Sequence, residues 1–594
     1  MQIWRAPVED YRLLLLELLE LPRWHELPGY AEIEPELVEE FLRSAARLCE
    51  ERLLPLNMSG DAEGCRLEAG RVKTPSGFRA AWREFAAGGW LCVAAEPEHG
   101  GQHLPGPMAE LLAEMLVSAN FSFSGYVDLS EGAFAAIRAH GSSAQRASIL
   151  PRIASGQWAG AMHLTEAEAG SDLGLLRSRA LPQPDGSFRL YGTKQFITAA
   201  DHDLCDNVIG LALARIEGAP PGSAGLSLFI VPNREIGADG MPGKRNAVGY
   251  TGLEHKMGLR GAATGSLLYD GARAELLGAR EQGLGAIFTM VNDTRLGVAL
   301  QGLGIAEAAG QSALAYARER RQGRAPGRRV GGAADPIIEH PDVQRMLLAI
   351  RSFVDGARAL ALRVALDIDL GQRHPDARRR RQAQDRVGLL TPVLKAYFTD
   401  TGHECANLAL QCFGGYGYMR DTGIEQYVRD VRVTQIYEGT NGIQALDLVG
   451  RKLRSRERAV LAEWLADLHG QAAQAEAAGA KRLARGLATA LAQLERATAL
   501  IDRWRSTDPP ALAAAATDYL RLFALTAMAG AWCELAAVCH GRLADGRGVA
   551  EPARYRAKLA AGEAFAAWRL PETALCLQRI RQGAPRLAAA AAHL

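Results

Sequence analysis

In Leu164-Thr165-Glu166-Ala167-Glu168-Ala169-Gly170-Ser171-Asp172-Leu173, a short apolar run that starts at Trp158 gives way to hydroxyls, acids and a glycine. That is how a strand ends in a loop whose backbone a ligand can approach. Further short apolar runs follow: Phe188 to Gly192, Gly192 to Ala199, Leu226 to Val231 and Ser266 to Gly271. Asp-Gly and Pro-Gly pairs bound them, so residues 156–278 read as a small antiparallel sheet or barrel. Taken alone, each run reads equally as core packing.

Outward from this β unit the period changes. Upstream, Val38, Phe41, Leu42, Ala45 and Leu48 recur at helical spacing, as does Met108 to Val117. Downstream, residues 279–451 again carry long helical patterns. The Ala-rich remainder shows a stripe of Leu483, Leu487, Leu491, Leu494, Thr498 and Ile501, with a break at Asp508-Pro509-Pro510. The expected organisation is an extension (1–34), a helical domain (35–155), a middle β domain (156–278), a second helical domain (279–451) and an additional C-terminal helical domain (452–594). The fold class is mainly α with a central antiparallel β domain. Strands do not alternate with helices and no GxGxxG opens a strand–helix unit, which argues against a doubly wound nucleotide-binding sheet.

Composition narrows the function. Over 594 residues, 68 Lys and Arg face 67 Asp and Glu, which excludes a general nucleic-acid binder. Nine scattered cysteines without CxxC or zinc spacing fit reduced thiols in the cytoplasm and no metal site. Met1 to Asp10 lacks the pattern of a signal peptide. Leu13 to Leu21 is interrupted by Glu17 and Glu20 and reads as a packed amphipathic helix, so no transmembrane segment is expected. Arg378 to Arg381 reads as a solvated helix start.

Three more segments can carry chemistry. Phe196 and Thr198 alternate onto one strand face. Gln411-Cys412-Phe413-Gly414-Gly415-Tyr416-Gly417-Tyr418 breaks a helix with glycines among aromatics. In Tyr437-Glu438-Gly439-Thr440-Asn441-Gly442 a carboxylate sits between an aromatic and a glycine; an apolar site there would raise its pKa, as a general base requires.

In this order and spacing, the segments resemble the acyl-CoA dehydrogenase family from about residue 35 to 450. The TE-x-x-AGSD match at Thr165 to Asp172, Arg429-Asp430 and Ile436-Tyr437-Glu438-Gly439-Thr440 carry the resemblance. It implies a helical, β, helical architecture, FAD as cofactor and an acyl-CoA substrate. Glu438 would take the proton from carbon 2 while flavin N5 accepts hydride from carbon 3, giving the trans-2-enoyl-CoA. The resemblance places Thr165, Ser171, Phe196 (usually Trp) and Thr198 at the flavin. Arg320 would reach the pyrophosphate of the partner subunit's FAD. Gln411, Gly414 and Gly415 would cover the adenosine, and Thr440 would contact phosphate. Ser171, Arg295 and Gly439 would meet the substrate. Gly323 stands where a Phe is usual, and Gly442 where a polar residue is. Some members place the base near the position of Asp293-Thr294, where this sequence has no Glu.

The outer parts resemble an enlarged subset that includes very-long-chain enzymes and bacterial enzymes acting on 3-methylthiopropanoyl-CoA. Pro341 to Gln344 and Leu390 to Lys395 look more like the latter. The expected function is dehydrogenation of medium to long fatty acyl-CoA in β-oxidation. Alternatives are an acyl-CoA oxidase, a 3-methylthiopropanoyl-CoA dehydrogenase and a non-catalytic flavin or acyl-CoA binder. The chain ends Ala592-His593-Leu594, without a peroxisomal signal. An electron-transfer flavoprotein is the expected acceptor and a homodimer the expected assembly. The C-terminal unit could support packing or touch a membrane.

Overall fold

The computed structural model describes residues 2–237, 239–327, 333–454, 457–546 and 551–594, with only the backbone course at 288–294, 457, 584–586 and 588. The side chains of Asp293 and Thr294 therefore lie outside the described residues. In chain order come α1 (Val8–Leu13), α2 (Pro35–Leu48), α3 (Pro55–Glu63), a hairpin of β1 (Arg66–Glu68) and β2 (Arg71–Lys73), α4 (Phe78–Ala87), α5 (Gly106–His140) and α6 (Ser143–Ala154). The strands β3 (Trp158–His163), β4 (Arg179–Pro182), β5 (Phe188–Thr198), β6 (Asn207–Ile216), β7 (Leu226–Pro232), β8 (Arg234–Ile236), β9 (Pro242–Arg245), β10 (Val248–Leu253) and β11 (Thr264–Leu277) follow. The chain then returns to helices: α7 (Gly283–Glu319), α8 (Pro341–Arg373), α9 (Ala377–Phe413), α10 (Ile424–Val431), α11 (Asn441–Asp447), α12 (Glu457–Ala478), α13 (Lys481–Thr507), α14 (Pro509–Asp545), α15 (Pro552–Ala564) and α16 (Glu572–Ala591).

Two compact units result. The β-bearing unit comprises Ser44–Pro105 and Met115–Gly297; the helical unit comprises Met1–Arg43, Gly106–Glu114 and Val298–Leu594. In the β-bearing unit a seven-stranded sheet runs β10-β11-β5-β4-β6-β3, with β7 bridging β11 and β6. It is mostly antiparallel, as the sequence reading expects, but β6 pairs in parallel with both β3 and β4. Both faces of β6 and β7 are covered. Ile209, Leu211, Leu213, Leu228 and Ile230 pack with Ile137, Ile149 and Leu150 of α5 and α6. Ala212, Ala214, Phe229 and Val231 pack with Phe188, Leu190 and Tyr269. Burial on both faces explains why these strands are continuous apolar runs.

In the helical unit, Leu483, Leu487, Leu491, Leu494 and Ile501 of α13 are buried along the expected stripe. Thr498 meets Tyr519 of α14 hydroxyl to hydroxyl at 2.8 Å. The expected break is real: Asp508 caps α14 by accepting from the amide of Ala511 at 3.0 Å, and Pro509 starts the helix. By length and composition α14 could cross a membrane, yet 83 % of its most apolar window is buried, the pattern of a core helix. Asp376 likewise caps α9, and Arg378, Arg379 and Arg381 are exposed on its first turns.

The segment Leu13 to Leu21 departs from a regular amphipathic helix. α1 ends at Leu13, a π turn follows over Leu14–Leu18, and Glu20 adopts φ 49° before a short 3-10 turn. Acids of α1 and of this segment are anchored. Asp10 accepts from Lys558 of α15 at 2.5 Å, and Glu17 accepts from Arg542 and Tyr555, each at 3.0 Å. Burial pulls the Lys558 ammonium down to about 8 against the attraction of Asp10. Deeper in the unit, Arg358 spans Glu114 (2.5 Å) and Glu307 (2.6 Å), all three fully buried, and Tyr11 donates to Glu114 at 3.3 Å. The N-terminal extension is thus fastened within the helical unit by the largely buried Asp10–Lys558 pair, the half-exposed Glu17–Arg542 pair and the Tyr11–Glu114 hydrogen bond.

Candidate active site

β3 delivers the loop that carries Thr165 and Ser171. Glu166 and Ala169 exchange both backbone hydrogen bonds at 3.1 Å, closing a tight loop. The Glu166 carboxylate, nearly buried, accepts from Ser178 Oγ (2.6 Å), the amides of Arg177 (2.7 Å) and Ser178 (3.1 Å), and Lys194 Nζ (2.8 Å). Lys194, inward on β5, also donates to the carbonyls of Leu164 (3.0 Å) and Leu213 (2.8 Å). Burial lowers the Lys194 ammonium to about 8 although Glu166 opposes it. Burial works against the Glu166 carboxylate too, but Lys194 and its other donors bring it below its ordinary value. Gln195 N–H donates to the carbonyl of Thr165 at 2.8 Å. Thr165 is half-buried and Ser171 exposed, and nothing stands within 4 Å of a Cβ built on Gly170. The acidic residue of this motif is therefore the loop's structural anchor, which the sequence reading did not assign.

Phe196 lies at a bulge in the pairing of β5 with β11, with φ 58° and 64 % of its surface exposed. A bulky residue in the left-handed region costs roughly 1–2 kcal/mol, and such outliers cluster where a site needs them. The bulge interrupts strict alternation: Lys194 and Ile197 are buried while Phe196 and Thr198 remain accessible. Thr198 meets Thr264 hydroxyl to hydroxyl at 2.9 Å, and Lys256 donates to Thr264 at 3.0 Å. Arg295 is buried within α7 of the same unit.

Glu438, Gly439 and Thr440 lie in the helical unit, between a 3-10 turn (Arg432–Gln435) and α11. Glu438 is half-buried and itself left-handed at φ 56°, followed by Gly439 at φ 82°. The acid thus shares a conformation that ordinarily favours glycine. Lys395 Nζ donates to the Gly439 carbonyl at 2.8 Å, and Gln444 Nε2 reaches the carbonyls of Glu438 (3.1 Å) and Gly439 (3.2 Å). Glycine suits φ 82° at residue 439, and a Cβ there would stand 2.6 Å from Gln444 Nε2 and displace that amide. Tyr437 hydroxyl donates to Gln301 of α7. Thr440 accepts from the Ile443 amide at 3.3 Å as the cap of α11, and its own O–H can still donate.

The remaining expected residues gather at the ends of α7 and α9. A cavity of about 390 Å³ is lined by Ile3, Ser312, Tyr316, Arg320, Phe413 and Tyr416 among others. Tyr316 and Phe413 stack at 4.2 Å and 14°, and the Arg320 guanidinium lies 5.8 Å from the Tyr416 ring. Beside it Gly414 (φ 59°) and Gly415 have open space where a Cβ would be, next to exposed Gln411. A cation, stacked aromatics and bare backbone suit the adenosine and phosphates of a dinucleotide. Ile3 lines this cavity from the N-terminal extension, a contribution the sequence did not reveal.

The chain matches family profiles in four consecutive pieces. They are the acyl-CoA dehydrogenase N-terminal domain (residues 35–157), middle domain (161–272) and C-terminal domain (281–453), then an acetyl-CoA dehydrogenase C-terminal-like domain (464–591). It is 42 % identical over 495 residues to 3-methylmercaptopropionyl-CoA dehydrogenase of Ruegeria pomeroyi, covering 82 % of this chain and 83 % of that protein. The chain belongs to the acyl-CoA dehydrogenase family. Members of this family are FAD-dependent oxidoreductases, and the cofactor here is FAD. The broad-specificity linear acyl-CoA dehydrogenase FadE5 of Mycobacterium tuberculosis is 31 % identical, covering 88 % of this chain and 84 % of that one. The acyl-CoA dehydrogenase of Bacillus anthracis, solved with FAD, shares the fold at a TM-score of 0.73 and 18 % identity, covering 97 % and 92 %.

Within each unit the structure brings expected residues together: Thr165 is carried by the loop between β3 and β4, Phe196 and Thr198 by β5, and Glu438, Gly439 and Thr440 by one turn. Lys194, Lys395 and Gln444 were missed. A lone lysine in an apolar run, as in Thr391-Pro392-Val393-Leu394-Lys395-Ala396-Tyr397, is a signal that could have found one of them, because an unpaired buried ammonium is prohibitively costly.

Proposed function

We propose that this protein desaturates the α,β bond of an acyl-CoA thioester with Glu438 as the base. The observation that carries this reading is the left-handed Glu438–Gly439 pair whose carbonyls are both held by buried side chains. A proton α to a thioester is only weakly acidic, so the developing enolate oxygen needs a fixed donor. The Glu438 amide supplies it in this reading, while the Glu438 carboxylate receives the proton. FAD, when bound, supplies the acceptor for the β hydrogen. Phe196, Thr165 and Thr198 would hold its ring, with Ser171 beside it. Arg320 would reach the pyrophosphate of the partner subunit's FAD, Gln411, Gly414 and Gly415 would cover the adenosine, and Thr440 would contact phosphate. Ser171, Arg295 and Gly439 would orient the CoA ester.

For the acyl group we place 3-methylthiopropanoyl-CoA first, because the 42 % identity to a dehydrogenase of that name extends over most of both chains. Medium to long linear fatty acyl-CoA, as in β-oxidation, is the second reading, favoured by the likeness to the broad-specificity linear enzyme. An electron-transfer flavoprotein is the proposed acceptor. A homodimer is supported by the exposed Tyr416, Tyr418, Met419, Ile436 and Leu446 of the helical unit, apolar surface that a second copy would cover. A cytoplasmic location accords with nine free cysteines. The test is anaerobic bleaching of the bound flavin by 3-methylthiopropanoyl-, butanoyl-, octanoyl- and palmitoyl-CoA, followed by reoxidation with electron-transfer flavoprotein or oxygen. Fast bleaching by the thioether substrate is expected. Preference for palmitoyl-CoA would reverse the order of substrates, rapid peroxide formation would make the protein an oxidase, and no bleaching by any acyl-CoA would reject the reading.

A further inference from the structure

The turn bearing Glu438 is gripped by side chains that do not belong to it. Lys395, on α9 and fully buried, divides its ammonium between the Gly439 carbonyl at 2.8 Å and Asn441 Oδ1 at 2.9 Å. Gln444, fully buried on α11, shares Nε2 between the carbonyls of residues 438 and 439. Asn441 Nδ2 donates to Thr399 Oγ1 (2.9 Å), the Ala396 carbonyl (3.2 Å) and Asp400 Oδ1 (2.7 Å), so the turn's far end is tied to α9. Gln435 Nε2 ties its near end to the same Asp400 oxygen at 2.6 Å.

We propose that Lys395 and Gln444 are positioning residues that lock the Glu438–Gly439 pair in its left-handed conformation. In that conformation the carboxylate and the amide of residue 438 keep one fixed relation to each other. Three considerations converge on this. A non-glycine residue at φ 56° relaxes toward the extended region unless the chain around it is held; Gln444 holds the peptide plane that follows Glu438, and Lys395 with Gln444 holds the plane that follows Gly439. Replacing a buried charged group by an apolar side chain of similar size is often neutral or stabilising, so the ammonium's contribution here is sought in the geometry it imposes. The reaction needs proton acceptor and oxyanion donor aligned together, and both come from residue 438, whose following peptide plane is one of the two held.

The inference rests on Glu438 being the base, and the experiment separates the two. Lys395→Met, Gln444→Met, Lys395→Arg and Glu438→Gln are compared as holoenzymes for flavin content, binding of a non-oxidisable acyl-CoA thioether and the rate of anaerobic bleaching. Lys395→Met and Gln444→Met should each slow bleaching about 100-fold, the scale of a 1 Å misplacement. Flavin content and thioether binding should be unchanged, and Lys395→Arg should recover part of the rate. The double variant should be little slower than the slower single, because both act on one turn. Should Lys395→Met fail to fold, Gln444→Met alone decides. Normal bleaching in the Met variants with an inactive Glu438→Gln overturns the positioning role alone. Loss of flavin or thioether binding in parallel with rate overturns it in favour of a merely structural one. A fully active Glu438→Gln overturns the base assignment itself.

Discussion

Replacing Lys194 with methionine removes the cation that pairs with Glu166 and one donor from each of the carbonyls of Leu164 and Leu213. Breaking a buried pair costs about 3–5 kcal/mol; the lower end applies because Ser178 and the Arg177 amide still serve the carboxylate. Two carbonyls that lose a donor add about 1 kcal/mol each, and the buried methionine side chain returns about 2 kcal/mol. The net is about 3 kcal/mol, roughly a hundredfold rise in the opening constant of the loop that carries Thr165 and Ser171. Amide hydrogen exchange at Arg177 and Ser178, whose N–H groups end on Glu166, reads that opening directly. The pH dependence follows from the sign of the shift. In the parent, Glu166 sits below its ordinary pKa, so its contribution is present above the unfolded carboxylate range and is lost as pH falls through the folded value. Without Lys194 burial dominates and raises that value, so the variant's deficit should shrink toward pH 5. Unchanged exchange at pH 7.5, or a deficit that grows on acidification, would refute this reasoning.

Two further outcomes follow from buried charge. Arg358→Met leaves Glu114 and Glu307 without the cation between them and should cost about 3–5 kcal/mol, read as a lowered urea midpoint; an unchanged midpoint would show that the network is not needed. Burial pushes Glu131, which accepts from the Cys92 amide at 3.0 Å, up to about 7. The folded state therefore binds a proton that the unfolded state releases between pH 4.5 and 7, and stability falls as pH rises through that window. Glu131→Gln should flatten that fall in a pH series of melting temperatures, and a series that keeps the parent slope would count against it.

Periodicity made the order of helices and strands readable, and turn chemistry located breaks such as Asp508-Pro509-Pro510, because both depend on neighbours in sequence. The parallel pairing of β6 with β3 and β4 was not readable, since nothing local in Asn207–Ile216 distinguishes it from an antiparallel core strand. Phe196 and Glu438 show the same limit at the candidate site. Their side chains were legible as an aromatic and an acid, yet their positive φ values depend on a bulge and on the Lys395 and Gln444 contacts, made far along the chain or across a turn. Glu166 was quoted within its motif but its partner Lys194 lies 28 residues away, where alternation on β5 points it inward.

The role of Glu438 is tested most directly by Glu438→Gln, which keeps the turn's backbone and side-chain volume and removes the base. Mixed anaerobically with 3-methylthiopropanoyl- and octanoyl-CoA, the variant should retain FAD and leave its absorption unbleached while the parent bleaches. Bleaching of the variant at a rate near the parent's would contradict the account.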